Sequence, residues 1–287
     1  MAAVSPPFRT LSNTENILQQ VSVNGIMAIG MTLVIITAGI DLSVGSVLAL
    51  SAVIATSFAH PRAHPLIVPV AMGVLAGLAC GVVNGVLIAK KRLAPFIVTL
   101  GMMTIARGAA LVYTKGRPMI DLSDAYNEIG GGAIGSIPFS AIIFFVVVLL
   151  GVFILHYTRF GRYVYAVGGN ELAAKVSGIN TDRVLIAVYA LQGALAGVAG
   201  IVLSSRVMSG SPATAAGSEL DAIAAVVIGG TSLNGGVGSI AGTIAGVLII
   251  GVMNNGLDLL AVSSYWQQII KGAIIVLAVL LDRKSKI

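Results

Sequence analysis

Apolar runs close to twenty residues long recur along the chain, at 21–40, 42–58, 66–89, 94–113, 138–157, 184–204, 237–256 and 264–281. A helix needs about 20 such residues to cross about 30 Å of hydrocarbon. A ninth run, 219–231, is too short to span comfortably and leads into the glycine-rich stretch Gly229 to Gly238. Irregular backbone at membrane depth survives only where protein or a wet cavity covers it. The stretch 217–238 is therefore expected to be a broken helix. The expected fold is all-α: a polytopic transmembrane helical bundle of about nine apolar segments, one of them short or broken. Of the 287 residues, 57% are hydrophobic and 10% charged, against about 25% charged in soluble domains. No stretch is polar enough to form a soluble unit. A single integral membrane domain over 1–287 is expected, with a polar N-terminal segment at 1–20 and one long connector at 158–183.

The net charge is +6. Nucleic acid is excluded as a partner by where the charges fall, because they form no stripe or groove for phosphates. Lys90, Lys91, Arg92, Arg159, Arg162, Lys175, Arg183, Arg283, Lys284 and Lys286 lie in connectors on one side, against Arg9, Arg62, Lys115 and Arg117 on the other. The positive-inside bias puts the first group in the cytoplasm, with the N-terminus outside and the C-terminus inside. No basic start precedes an apolar core, so no signal peptide is visible and insertion is expected to be directed by internal helices.

Chemistry-bearing patterns are sparse. Cys80 stands alone among alanine and glycine, and His60, His64 and His156 have no metal-ligand spacing, so no metal site is expected. Neither a nucleophile–base pair nor a Walker-type loop occurs, so the chain is expected to be no enzyme and to bind no cofactor; any ATP is expected on another subunit. Small residues do recur at helical spacing: Gly73, Gly77, Gly81 and Gly85; Gly238, Gly242 and Gly246; Gly193 with Gly197. Such ladders pack helices in lipid, here within the bundle first and between two copies as the alternative.

Ionisable residues in apolar runs cost several kcal/mol unless they meet a partner or water. Asp41, at the junction running to Ser43, reads as a cap for the next helix, with direct solute contact as the sharper role. Glu219 and Asp221 open the short segment and invite both readings. Lys271 and Arg107 lie about two turns inside their helices, placed either to snorkel outward or to pair with Glu219, Asp221 or Asp258. Amides that both donate and accept suit a neutral polyol. Asn84, Gln192, Asn234, Asn254, Asn255 and Gln267 form a plausible polar seam, although each alone reads as a helix–helix hydrogen bond. Candidates for the translocation path or broken helix are thus Asp41, Ser43, Asn84, Gln192, Glu219, Asp221, Asn254 and Asn255. In the long connector, Asn170 can cap a short helix, Glu171 to Val176, ended by Gly178. This small-residue helix reads either as a solvated connector or as a segment built to dock into another protein's cleft.

Several stretches together carry a resemblance. They include Gly39-Ile40-Asp41-Leu42-Ser43-Val44-Gly45-Ser46, Gly161-Arg162-Tyr163, Gly168-Gly169-Asn170-Glu171, Ser177-Gly178-Ile179-Asn180, Glu219 to Val227, Gly229-Gly230-Thr231-Ser232-Leu233 and Asn254-Asn255-Gly256-Leu257. The chain resembles, from about residue 11 onward, the permease subunits of monosaccharide ATP-binding-cassette importers, those for ribose above all. The resemblance implies a multi-pass protein of the bacterial inner membrane that forms a homodimeric pore. It also implies an extracytoplasmic sugar-binding protein and a cytoplasmic ATP-binding subunit as partners. The connector becomes the coupling segment seated on that ATPase, through Asn170, Glu171, Ala173, Ala174, Gly178 and Ile179. Leu172 interrupts the family's alanines there, and Gly178 comes one residue late. Members usually carry an apolar helix ahead of the position matching Phe8. This sequence has none, so either a preceding segment is missing from it or the bundle has nine spans. The rival reading, a secondary transporter or facilitator of a small polyol, needs an ion-coupling carboxylate deep in a span; Asp41, the only acid near one, sits at a helix end.

Overall fold

The computed structural model describes residues 6–61 and 64–284, and the side chains of these apart from Pro6, Ile275 and 277–284. Arg62 and Lys286 of the charge count lie outside the described residues, as do the side chains of Arg283 and Lys284. Each of the nine apolar runs forms a helix: Leu11–Ile36 (α1), Val44–Ser57 (α2), Ile67–Lys91 (α3), Pro95–Thr114 (α4), Phe139–Val152 (α6), Thr181–Arg206 (α9), Ser218–Ile228 (α10), Ile240–Leu259 (α11) and Ser264–Lys284 (α12). Three short helices come from outside the runs: Asp124–Gly131 (α5), Arg159–Gly169 (α7) and Glu171–Val176 (α8). A π turn, Phe153–Tyr157, prolongs α6, and a hairpin of two-residue strands, Ala133–Ile134 and Ile137–Pro138, precedes it. Among the described residues, six helices are long and apolar enough to cross a membrane: α1, α3, α4, α6 with its π turn, α9 and α11. At 1.5 Å per residue α2 and α10 reach only about 21 Å and about 16 Å.

α1 begins ten residues before its apolar run, because Thr10 accepts a hydrogen bond from the Asn13 N–H at 3.2 Å and starts the helix inside the polar segment. Its second half is enclosed; every residue from Gly25 to Ile36 is buried. Around it stand α6, α9, α10 and α11, while α2 fills the space between α3, α4 and α9. The ends sort by charge. Lys90, Lys91, Arg92 and the connector with α7 and α8 occupy one end, whereas α1 begins and α4 finishes at the other, beside Arg9, Lys115 and Arg117. At that opposite end α5 closes a small second core in which the Tyr126 hydroxyl meets the Ser204 Oγ at 2.7 Å.

Glycine sets the closest approach. A Cβ added at Gly77 would collide with the Gly193 carbonyl, one at Gly193 with the Gly77 carbonyl, and one at Gly81 with the Tyr189 carbonyl. At Gly85 it would sit 2.7 Å from Ile186 Cα. The first ladder and the Gly193–Gly197 pair are thus two sides of one seam between α3 and α9. Gly242 and Gly246 likewise face the carbonyls of Gly229 and Ala225, seating α11 on the end of α10. Both ladders are spent within the bundle, as the first of the two readings has it.

The seam makes a contrast measurable by thermal unfolding in detergent. Gly77→Ala forces a backbone shift and is expected to destabilise by about 2 kcal/mol. Gly101→Ala, on α4 with nothing within 4 Å of the added carbon, is expected to be neutral or to stabilise by about 0.5 kcal/mol. Equal effects at the two positions would contradict the seam.

Candidate functional site

Two regions hold the residues singled out above. The first is the basic end. The Asn170 Oδ1 accepts from the Ala173 N–H at 2.9 Å and caps α8. Gly178 closes the helix at φ +86°, where the Ile179 N–H reaches the Ala174 carbonyl at 3.1 Å. Arg92, just past the end of α3, donates from Nη1 to Glu171 Oε1 at 2.5 Å and from Nη2 to Asp182 Oδ1 at 2.9 Å. Thr181 Oγ1 adds a bond to the same Glu171 oxygen at 3.3 Å. The hydrogen bond and charge of Glu171, with Asp182 behind, push the guanidinium pKa further up. These groups are half exposed, and such pairs orient more than they stabilise. The result is a short helix tied at its start to Arg92 after α3 and to the first turn of α9, with Ala174 buried. Leu172 and Val176 point the other way, 73% and 82% exposed.

The connector also holds a second helix, α7. Thr158 caps it, accepting from the Gly161 N–H at 3.1 Å. Val164 and Val167 are buried, and the Tyr165 hydroxyl donates to the Gly238 carbonyl at 2.7 Å. Gly168 lies against the Ile36 carbonyl. α7 therefore links α8 to the end of α1 and to the irregular stretch after α10.

The second region is the interior. Asp41 is buried, and its Oδ1 accepts from the Ser43 N–H at 2.8 Å and Oγ at 2.6 Å. It braces the turn ahead of α2; the first-turn N–H groups of that helix receive nothing from it, which corrects the capping role. Asn84 Nδ2 donates to the Ser43 Oγ at 3.0 Å, so Asp41, Ser43 and Asn84 form one chain from the α1–α2 turn to α3. On α9 the Gln192 amide and Tyr189 hydroxyl are buried, and their polar atoms find no protein partner among the described residues. Asn255 departs from its expected place on a path. It exchanges two amide hydrogen bonds with Asn13, at 2.8 and 3.0 Å, and fastens α11 to the start of α1.

Around α10 the polar groups border open space. The Glu219 Oε1 accepts from the Gly217 N–H at 3.2 Å, and Gly45 of α2 packs against its carboxylate. Arg107 makes no direct ion pair among the described residues: it donates to the carbonyls of Pro212 and Thr214 at 2.6 and 2.8 Å and ties down the chain entering α10. Lys271 pairs with Asp221 at 2.8 Å, the ionic alternative of its two readings, and Asn254 Nδ2 lies 3.4 Å from the same oxygen. Three cavities meet this segment. One of about 430 Å³ lies between α4 and Ala216–Glu219, one of about 590 Å³ between α10 and α12, and one of about 280 Å³ is lined by Asn24, Ser218, Asn254, Asp258, Gln267 and Lys271 among others. Of the sequence candidates, Glu219, Asp221 and Asn254 thus gather about the broken helix, whereas Asp41, Ser43, Asn84 and Gln192 are sealed into the α1–α3–α9 core. The roles of Arg92 and Asn13 are not legible in the sequence. Each depends on a partner far away in sequence, and only an uncommon residue type for its segment could have flagged them.

Comparison with known proteins gives the arrangement a setting. Residues 13–279 match the family described as branched-chain amino acid transport system / permease component. The chain is 50% identical to the ribose import permease protein RbsC of Escherichia coli strain K12, over all of this chain and 90% of that protein. It is 50% identical to RbsC of Bacillus subtilis strain 168, over 99% of this chain and 89% of that one. Identity to the xylose transport system permease protein XylH of Escherichia coli strain K12 is 35%, over 97% and 86% of the two chains. No solved structure matches the chain. The chain belongs to this permease family.

The Asn13–Asn255 pair predicts non-additive unfolding energies in detergent. Asn13→Leu or Asn255→Leu alone leaves a buried amide unpaired and is expected to cost about 2 kcal/mol. The double variant is expected to recover most of that loss. Additive losses would show that the two amides act independently.

Proposed function

We propose that this permease is the membrane subunit of an ATP-driven importer that carries a monosaccharide, ribose, across the bacterial inner membrane. The observation that carries the proposal is α8: a capped helix, braced by Arg92 and displaying Leu172 and Val176 at the basic end of a bundle that has no nucleotide-binding loop of its own. A motor on a separate ATPase subunit needs a handle of this kind. ATP binds that subunit, and the permease contributes no cofactor site and no catalytic group. Ribose comes from the relatives: identity is 50% to permeases named for ribose and 35% to one named for xylose. The family's description names branched-chain amino acids. The residues bordering the cavities about α10 are mostly amides, hydroxyls and small residues, and they suit a neutral polyol better than an aliphatic side chain.

The remaining partners follow from the same reading. An extracytoplasmic sugar-binding protein delivers the solute to the end opposite α8, and two copies of the chain enclose the path. ATP-driven closure of the ATPase pair pushes α8, and α7 passes the displacement to the end of α1 and to the stretch after α10, with which it is in contact. Selectivity resides mainly in the binding protein, because a path that held sugar tightly would release it slowly.

Uptake of labelled ribose by the reconstituted complex tests the substrate. Accumulation should be inhibited by unlabelled ribose more strongly than by xylose or galactose; failure to accumulate ribose, or stronger inhibition by either rival, overturns it. Docking is tested by Glu171→Lys, which sets a like charge against Arg92, and by Gly178→Pro, which cannot adopt the positive φ. Each is expected to lower co-purification of the ATPase and uptake by about tenfold. Survival of both in both variants refutes the role of α8.

A further inference from the structure

We propose that Asp221 and Lys271 form the latch of a gate: joined, they separate two adjoining cavities, and parted, they let a polyhydroxylated solute pass between them. The inference rests on the permease reading and adds to it the residues that control passage.

The geometry begins with two costly groups. Lys271 stands inside an apolar helix and Asp221 in the first turn of α10, and a charge at such depth needs a partner or water. They meet at 2.8 Å with side-chain exposures of 26% and 9%. The pair lies where the cavities of about 280 and 590 Å³ adjoin, for Ser218, Gln267 and Lys271 line both. Asp221 borders the larger, and Asn254 and Asp258 border the smaller. The bond between α10 and α12 is therefore part of the partition.

What distinguishes a latch from a rivet is that each member has somewhere to go. Asp221 lies at the N-terminal turn of α10, where the free N–H groups and the helix dipole favour a carboxylate without Lys271. Asn254 Nδ2 already sits 3.4 Å from it. The Lys271 amine borders the smaller cavity alongside Asp258 and Gln267, with Gln267 Nε2 already 2.9 Å from Asp258 Oδ1. Parting the pair leaves neither charge isolated in hydrocarbon. The backbone ahead of α10 is sharply turned: Ala215 and Gly217 hold φ of +56° and +85°, and Gly217 borders the larger cavity. The lining supplies amides, hydroxyls and the carboxylates of Asp221 and Asp258, donors and acceptors that replace the water shell of a neutral sugar.

The test uses the full chain assembled with its ATPase and binding protein in proteoliposomes, with Cys80→Ala removing the native thiol. In the variant Asp221→Cys/Lys271→Cys, a short bis-thiol cross-linker that is cleaved by reductant bridges α10 and α12. The latch predicts that cross-linking abolishes ribose uptake while ATP hydrolysis continues, and that reduction restores uptake. Cross-linked protein that still imports at the uncross-linked rate overturns the latch. Should that variant fail to assemble, Asp221→Asn/Lys271→Gln keeps hydrogen-bonding groups without charge. There the latch predicts that passive efflux of preloaded ribose, measured without ATP, rises by about tenfold, and parental tightness overturns it. A parental complex that imports no ribose at all refutes the permease reading instead, so the two failures are distinguishable.

Discussion

The approach of α3 to α9 along Gly73, Gly77, Gly81, Gly85, Gly193 and Gly197 is the contact on which the rest of the bundle depends. Lipid gives apolar helices no reason to associate, so packing must come from surfaces that fit. At Gly77 and Gly193 the fit is backbone against backbone, each glycine's missing Cβ making room for the other's carbonyl. The paired helices then support two further features. Arg92 leaves the end of α3 to brace α8 against the start of α9. Tyr189 of α9 packs on Gly39 in the turn that carries Asp41, and Gln192 on Gly30 of α1.

Polar groups inside the membrane divide into two kinds by their surroundings. Asp41, Ser43 and Asn84 hydrogen-bond one another in a sealed core, and Asn13 and Asn255 form a closed reciprocal pair. Such groups specify one arrangement of helices and hold it. Glu219, Asp221, Asn254 and Lys271 border open cavities about a half-length helix whose entry is tied down by Arg107. Breaking α10 short makes the second kind possible. The chain on either side of a short helix brings irregular backbone to membrane depth, and that backbone has to be met by protein or by water.

Much of this was legible in the sequence, for identifiable reasons. Length and apolarity report directly on crossing a bilayer, so all nine runs became helices, and a four-residue glycine spacing reports directly on a small helix face. The α8 cap was legible because its parts, Asn170, Ala173 and Gly178, are neighbours in the chain. Lys271 could be recognised as needing an acid, though not which of three. The brace of Glu171 by Arg92 and the pairing of Asn13 with Asn255 could not be read, since those residues come together only in the folded bundle. α7 was hidden because Val164 and Val167 pack on distant elements. Asp41 misled for a local reason: a carboxylate two residues ahead of Ser43 can close a turn as readily as cap the following helix.

The central claim is that a separate nucleotide-hydrolysing motor drives solute through this bundle by way of α8. It is tested most directly by measuring ribose accumulation in proteoliposomes of the whole complex while ATP and the proton gradient are varied independently. The account predicts accumulation against a gradient when ATP is present, undiminished by a protonophore, and none without ATP. Accumulation that proceeds without nucleotide and collapses with the protonophore would contradict it.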